Sequence, residues 1–309
     1  MEFKLKEYLS KIELGEVRQY ENIAVVPVFL KEDGKVDYLT LKEALDKKVI
    51  AVNEVSEGGS VPDLVIDVNE GIKVLILDGE ELFGAKQNRI LNTTVLLWGK
   101  SRTTVPVSCT ERGRWHFTSR SFHDSDNLAH HSMRVAKTMS VSDSLKAKRG
   151  YHSDQAKVWQ EVANLQMAAD VPSATSAMRD VFEARKMDMN GYLRAFEHSP
   201  GQKGMLVFIN GEVAGLDIVS REQAFRVYRE KMLRSYCIDA MYSREKDRRE
   251  SDLALARQFL EKIAGSKETK FKSVGRGDDR RYEGAGFTGA ALEVDGEVLH
   301  MAFLSTARL

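Results

Sequence analysis

GEELFGAKQNRILNTTVLLWGKSRTTVPVSCTERGRW, residues 79–115, sets two β-branched runs on either side of a turn and crowds polar and charged side chains at their open ends. Gly99, Lys100 and Ser101 supply the turn, and a three-residue loop there predicts a definite pairing. Leu97 falls opposite Thr103, Val95 opposite Val105, Thr93 opposite Val107, Leu91 opposite Cys109 and Arg89 opposite Glu111, all on one mainly apolar face. The polar face carries Leu96 with Thr104, Thr94 with Pro106, Asn92 with Ser108, Ile90 with Thr110, and Asn88 with Arg112. Its lower end therefore gathers amides, guanidinium groups, acids and an indole. Amides read base or sugar edges through paired donors and acceptors, arginine grips phosphate in a two-pronged fork, and tryptophan offers a stacking face. Gln87, Asn88, Arg89, Asn92, Arg112 and Trp115 are accordingly the candidate ligand-binding residues, for a nucleotide or ribose phosphate. Glu80, Glu81 and Glu111 are the acid or base candidates if a bond is broken there. A plainer reading stays open beside this one, with Arg89 and Glu111 as a cross-strand ion pair and the amides capping irregular backbone.

Charge and composition exclude several classes. The 309 residues hold 46 Lys plus Arg against 46 Asp plus Glu, so no global field draws the chain to nucleic acid in bulk or to anionic lipid. With 42% hydrophobic residues the chain can bury a substantial core. Cys109 and Cys237 are too few for a disulfide scaffold and lack the C-x-x-C spacing of a metal site. The amino-terminal residues MEFKLKEYLSKIEL lack the apolar centre of a signal peptide, and no run approaches the roughly 18 apolar residues of a membrane span. These features predict a cytoplasmic protein that does not enter a membrane.

The pattern along the chain predicts an α+β protein in three stretches. Residues 1–115 read as a β-rich antiparallel half, sandwich or barrel-like, with strands at Ile23–Leu30, Val49–Val55, Leu64–Asn69, Lys73–Leu77, Ile90–Leu97 and Thr103–Thr110. Glu70-Gly71 reads as a hairpin turn, and Thr40 as the N-cap of a short helix through Lys47, with Glu43 completing a capping box. Residues 116–152, rich in Ser, His, Asp and basic residues, read as a polar connector or a functional loop. From 153 to 309 the period turns helical around Val158, Val162 and Leu165, with Pro172 as a break and a second stretch at Met178, Val181 and Phe182. Two hairpins follow, turning at Asn210-Gly211 and Asp295-Gly296, with helices from about Arg221 to Tyr242 and near Asp252 to Ala264 between them.

Other motifs weaken under their context. Gly284-Ala285-Gly286-Phe287-Thr288-Gly289 matches G-x-G-x-x-G, but a strand follows it where a dinucleotide site needs a helix. The surrounding loop with Arg276, Asp278, Asp279, Arg280, Arg281 and Glu283 reads either as an anion-holding loop or as solvated paired charges. Cys109 begins CTERGRW, yet Trp115 stands where a cysteine phosphatase carries its arginine, and burial suppresses a thiol's nucleophilicity. His116, His123, His130, His131 and His152 have no regular metal-ligand spacing, so no metal is assigned, and the sequence names no cofactor.

Five blocks in order carry a family resemblance: GEELFGAKQNRILN, VPVSCTERGRW, SDQAKVWQEV, LVFINGEVAGLDI leading into LRSYCIDA, and RRYEGAGFTGAALEVDGEVLHMAFL. Over the chain from about Ile12 onward they resemble the bacterial ARPP family, named for association with ADP-ribosylglycohydrolase and rhodanese-phosphatase superfamilies. The resemblance implies a role near ADP-ribose or nucleotide metabolism and supplies no catalytic residues to carry over. Two functions are therefore expected as alternatives. One is a protein that binds a nucleotide or ADP-ribose-like small molecule at the base of the 90–110 hairpin; the other is a non-enzymatic scaffold that partners an ADP-ribose-processing enzyme.

Overall fold

The computed structural model describes residues 4–69, 71–243 and 250–307. Up to Val36 the chain forms α1 (Leu5–Leu9) and strands β1 (Glu13–Leu14), β2 (Arg18–Tyr20) and β3 (Ile23–Phe29). Next come β4 (Leu39–Thr40), α2 (Leu41–Asp46), β5 (Ile50–Glu54), β6 (Asp63–Val68), β7 (Lys73–Ile76), β8 (Glu80–Gly84), β9 (Arg89–Leu91), β10 (Val95–Trp98), β11 (Ser101–Cys109) and β12 (Phe122–Leu128). Three helices, α3 (His131–Lys146), α4 (Gln155–Ala169) and α5 (Met178–Ala184), follow. The remainder is α6 (Lys186–Ala195), β13 (Gln202–Ile209), β14 (Glu212–Val219), α7 (Glu222–Tyr242), α8 (Leu253–Ala264), β15 (Lys267–Lys272), β16 (Asp278–Gly284), β17 (Phe287–Val294) and β18 (Glu297–Ser305). The protein is α+β, and its sheets are antiparallel except where β4 runs parallel to β7.

These elements group into two compact units. One comprises the chain up to Val36, Met187–Lys272 and the chain from Gly277 onward; the other comprises Asp37–Lys186 and Ser273–Arg276. The expected division at 115 and 152 is not the one by which the elements gather, because the strand from Ile23 pairs with β13, far along the chain. Sequence adjacency could not show that pairing.

The first unit is built on a nine-stranded antiparallel sheet in the order β1-β3-β13-β14-β18-β17-β16-β15, with β2 also on β3. β3 and, from Met205 onward, β13 are apolar because both faces of these strands are buried: Ala24, Val26, Val28, Leu206 and Phe208 join Ala256, Phe259 and Ile263 of α8 in one core. The opposite face meets α7, where Val25, Pro27 and Met205 line, with Leu233, a cavity of about 10 Å³, room for about one water. Both predicted two-residue turns are present, with Asn210 at φ 53° and Gly211 at 79°, and Asp295 at 54° and Gly296 at 85°. The Gly-rich segment is a hairpin as well. β16 and β17 pair from Asp278↔Glu293 to Gly284↔Phe287, so Arg280 and Arg281 lie buried in ion pairs with Glu293 and Asp279 and are not in a solvated loop.

The second unit is built on a six-stranded sheet, β12-β8-β9-β11-β6-β5, and a three-stranded one, β10-β7-β4. The larger sheet rolls until its edge strands come together, and Ser121 Oγ donates to Asn53 Oδ1 at 2.7 Å across that seam. Its inner face supplies Val52, Leu64, Ile66, Leu82, Leu91, Val105, Val107 and Phe122 to one core with Leu41 and Ala44 of α2 and Val74, Ile76, Val95 and Leu97 of the smaller sheet. Thr40 caps α2 with its full capping box. Of the turn expected at Glu70-Gly71, Glu70 lies outside the described residues; β6 pairs with β5 and β11 and β7 with β10 and β4, so no hairpin joins them. The predicted connector 116–152 carries β12 and α3. That helix escaped the apolar-period test because its buried residues include His131, Arg134, Lys137, Thr138 and Ser142.

Replacing Gly211 by Ala keeps the side chain small but forces a Cβ into the left-handed region, and urea unfolding should show a loss of about 1–2 kcal/mol.

Candidate functional site

The 79–115 stretch does not form one long hairpin. β9 pairs with β11 as Leu91↔Val107, Ile90↔Ser108 and Arg89↔Cys109, two residues from the predicted register, while Val95–Trp98 leave for the smaller sheet and pair with β7. The cause is local: Asn92, Thr93 and Thr94 break the strand, and Thr94 Oγ1 accepts from the Asp78 backbone N–H at 3.0 Å. A shift by two preserves the faces, so Leu91, Val107 and Cys109 remain inside as predicted. It changes what meets at the end. Arg89 lies opposite Cys109 rather than Glu111, and Asn88 is bonded through its carbonyl to the Thr110 N–H at 3.0 Å, with Arg112 carried past it.

Arg114 occupies the place expected for Arg112. Its Nε and Nη2 clasp Glu111 at 2.9 and 2.6 Å, and Nη2 also donates to Asn88 Oδ1 at 3.1 Å and to the Gly84 carbonyl at 3.2 Å. Nη1 reaches the carbonyl of Ala85 at 2.6 Å and that of His116 at 3.1 Å. Glu111 completes its shell with Thr175 Oγ1 at 2.7 Å and the Asn88 N–H at 3.1 Å. Burial pushes the Glu111 carboxyl up, but these hydrogen bonds and the Arg114 charge together hold it below its ordinary value. Arg112 is exposed, its guanidinium 5.1 Å from the centre of the Trp159 ring on α4.

Inside the rolled sheet the same end is polar. Alternation along β5 puts Glu54 on the inner face after Ile50 and Val52, and pairing with Leu82 puts Arg89 there too. Arg89 is 0% exposed. Its Nη1 donates to Gln87 Oε1 at 3.0 Å, whereas Nε and Nη2 have no protein partner. Burial pulls its pKa down, and nearby Cys109 and Glu54 oppose the shift. Glu54 Oε1 accepts from the Lys86 N–H at 3.2 Å, and its Oε2 is buried without a donor. The Trp115 ring, 45% exposed, lies with its centre 5.6 Å from the Arg89 guanidinium and 5.3 Å from Lys86 Nζ. Phe117, also exposed, lies 5.1 Å from that same ammonium. Gly59, at φ 77°, leaves room beside Trp115 that a Cβ would narrow to 3.1 Å. The Cys109 thiol is buried and pushed up to about 11 by desolvation, in keeping with an inert packing role.

The other predicted residues belong to neighbouring networks. Asn92 stands at the far end of β9, donating to the Tyr151 carbonyl at 2.9 Å and accepting from Ser108 Oγ at 2.7 Å, with Ser153 Oγ against Ser108. Glu80 is buried and accepts from the Leu77 N–H at 2.7 Å. Glu81, paired across from Ile90, projects from the face opposite Arg89, accepts from Thr110 Oγ1 at 3.0 Å and keeps Oε2 without a donor. Desolvation pushes its carboxyl up to about 7 against the hydrogen bonds of Thr110 and Ser125 and the charge of Arg179. The sequence reading missed Glu54 as a site residue, although the alternation of β5 was signal enough. It also missed the buried Asp78–Lys137 pair, which joins the loop before β8 to α3. Among the described residues no cluster of His, Cys, Asp and Glu has the makings of a metal site.

The profile of the family described as "ARG and Rhodanese-Phosphatase-superfamily-associated Protein domain" matches residues 11–304, and the chain belongs to that family. No curated protein and no solved structure matches the chain. No described helix is long and apolar enough to cross a membrane.

Two substitutions test the electrostatics. Glu111→Gln leaves the Arg114 charge buried with a weakened partner and should cost about 3–5 kcal/mol in denaturant unfolding near neutral pH. Because the folded-state pKa of Glu111 is lowered, that cost should shrink as pH falls below about 4.5. Glu81 has the opposite sign. Its pKa is raised from 4.5 to about 7, so the folded state holds the extra proton between those values, and stability is lost as pH rises through the window. Glu81→Gln should flatten that slope and raise the melting temperature at pH 8, a gain of roughly 3 kcal/mol at most.

Proposed function

We propose that this member of the ARPP-1 family binds a nucleotide or ADP-ribose-like phosphate ester at the polar end of the rolled sheet, around Arg89. One observation carries the reading. Nε and Nη2 form the edge with which a guanidinium grips an oxyanion, and other buried arginines fill that edge: Arg114 with Glu111, Arg280 with Glu293, Arg281 with Asp279. The same edge of Arg89, equally buried, has no protein acceptor. A buried donor without an acceptor costs more than a made hydrogen bond returns, so a phosphate or carboxylate oxygen is the missing partner. Gln87 orients the guanidinium, and Trp115 covers it with one face and offers the other to a base. Mouths of rolled sheets are common ligand sites, and the family's named association with ADP-ribosylglycohydrolases supports this ligand class.

Asn88 positions Arg114, and Asn92 lies at the other end of the strand, so neither is assigned a ligand contact. Glu81 faces away from Arg89, which leaves Glu54 as the carboxylate closest in placement to the proposed ligand. The scaffold reading draws its support from Val55, Val61, Trp115 and Phe117, large apolar residues exposed in the same region.

A thermal-shift screen against ADP-ribose, NAD, mononucleotides and their phosphates tests the proposal. A ligand at about one hundred times its Kd should stabilise the protein by about 2.7 kcal/mol. Arg89→Met, which keeps volume and removes the fork, should abolish the shift, and Arg112→Ala should leave it intact. A shift insensitive to Arg89→Met, or none from any phosphate ester, points to the scaffold.

A further inference from the structure

Arg89 is not the only unmet group on the inner face. Glu54 Oε2 is buried, takes no hydrogen bond, and belongs to a carboxylate whose charge acts on the Arg89 guanidinium without pairing with it. Wherever else Glu54 is engaged it accepts: Oε1 takes the Lys86 N–H. The vacant oxygen therefore calls for a donor, while the vacant edge of Arg89 calls for an acceptor. Both requirements fall on the inner face of one sheet, with Trp115 over the Arg89 guanidinium. A phosphate alone satisfies Arg89 and repels Glu54. A cation alone satisfies Glu54 and is repelled by Arg89. One molecule that carries an oxyanion and a neutral hydroxyl meets both without a like-charge contact.

We infer that Glu54 is a specificity-determining residue that accepts a hydrogen bond from a sugar hydroxyl of the same ligand whose phosphate Arg89 holds. The ligand class narrows to hydroxylated sugar phosphates, entering phosphate and sugar first, with any base left outside against Trp115 and Phe117. This inference rests on the Arg89 reading above. The carboxylate serves the sugar for the reason acidic side chains serve ribose in dinucleotide sites: a charged acceptor strengthens the bond to a hydroxyl, and a ligand lacking that hydroxyl leaves the acceptor buried and unmet.

Calorimetric titration of the intact chain with ribose 5-phosphate and with tetrahydrofurfuryl phosphate, which has the same ring and phosphate but no ring hydroxyls, tests it. The wild-type protein should bind ribose 5-phosphate at least about tenfold tighter. Glu54→Ala should weaken ribose 5-phosphate yet hold or tighten tetrahydrofurfuryl phosphate, because a repelling charge has gone; a merely structural residue would weaken both. Glu54→Gln, which keeps an acceptor and the shape, should lie between and guards against misfolding, which the melting curve of each variant reports. If both phosphates bind equally to wild type and Arg89→Met abolishes both, the Glu54 inference fails and the Arg89 reading stands. If the preference survives in Glu54→Ala, another residue reads the hydroxyls and the inference fails. If neither compound binds wild type, both readings fall.

Discussion

The clasp of Arg114 on Glu111 organises the end of the second unit. One guanidinium accounts for the carbonyls of Gly84, Ala85 and His116, the side chain of Asn88 and both oxygens of the carboxylate, and so ties the β8–β9 turn to the chain leaving β11. Glu111 extends the tie to the segment before α5 through Thr175. Two ions leave water to make this clasp, and the desolvation is offset only because nearly every donor and lone pair is used. The pair therefore specifies geometry more than it adds stability. Arg89 lies inside the roll, fully buried.

Against that background the open edge of Arg89 stands out by comparison within the same protein. Arg114, Arg280 and Arg281 show that this chain satisfies a buried guanidinium when it has a carboxylate to spare. Glu54 is near enough to influence Arg89 electrostatically, yet its free oxygen is not turned onto the fork. Two complementary charges held apart in a low-dielectric interior are a strained arrangement for a purely structural core. It is an ordinary one for a site whose third member is a ligand.

Much of the fold around the candidate site was visible in the residues. That Leu91, Val107 and Cys109 share the inner face, that the turn at Asn210-Gly211 has positive φ and that Thr40 caps a helix all follow from local rules. The errors came where a local rule met a distant partner. A loop at Gly99–Ser101 implied one hairpin, but β7 claims Val95–Trp98, so the pairing moved by two and Arg112 gave way to Arg114. The helix α3 looked like polar linker because its buried side chains carry charge, and charge becomes buried only when a partner such as Asp78 is brought to it.

By itself the sequence determined the class of fold, the faces of the strands, the turns at Asn210-Gly211 and Asp295-Gly296 and the family, because these depend on side-chain alternation, backbone preferences and residue order, all of which are local. Only the tertiary structure decided which charges found partners. Arg89, Arg112 and Arg114 are equivalent in a string of letters; Arg112 lies against a half-buried indole, Arg114 is clasped by a carboxylate and Arg89 is buried with its binding edge empty. Desolvation and hydrogen-bond geometry separate them, and both are set by which strands meet.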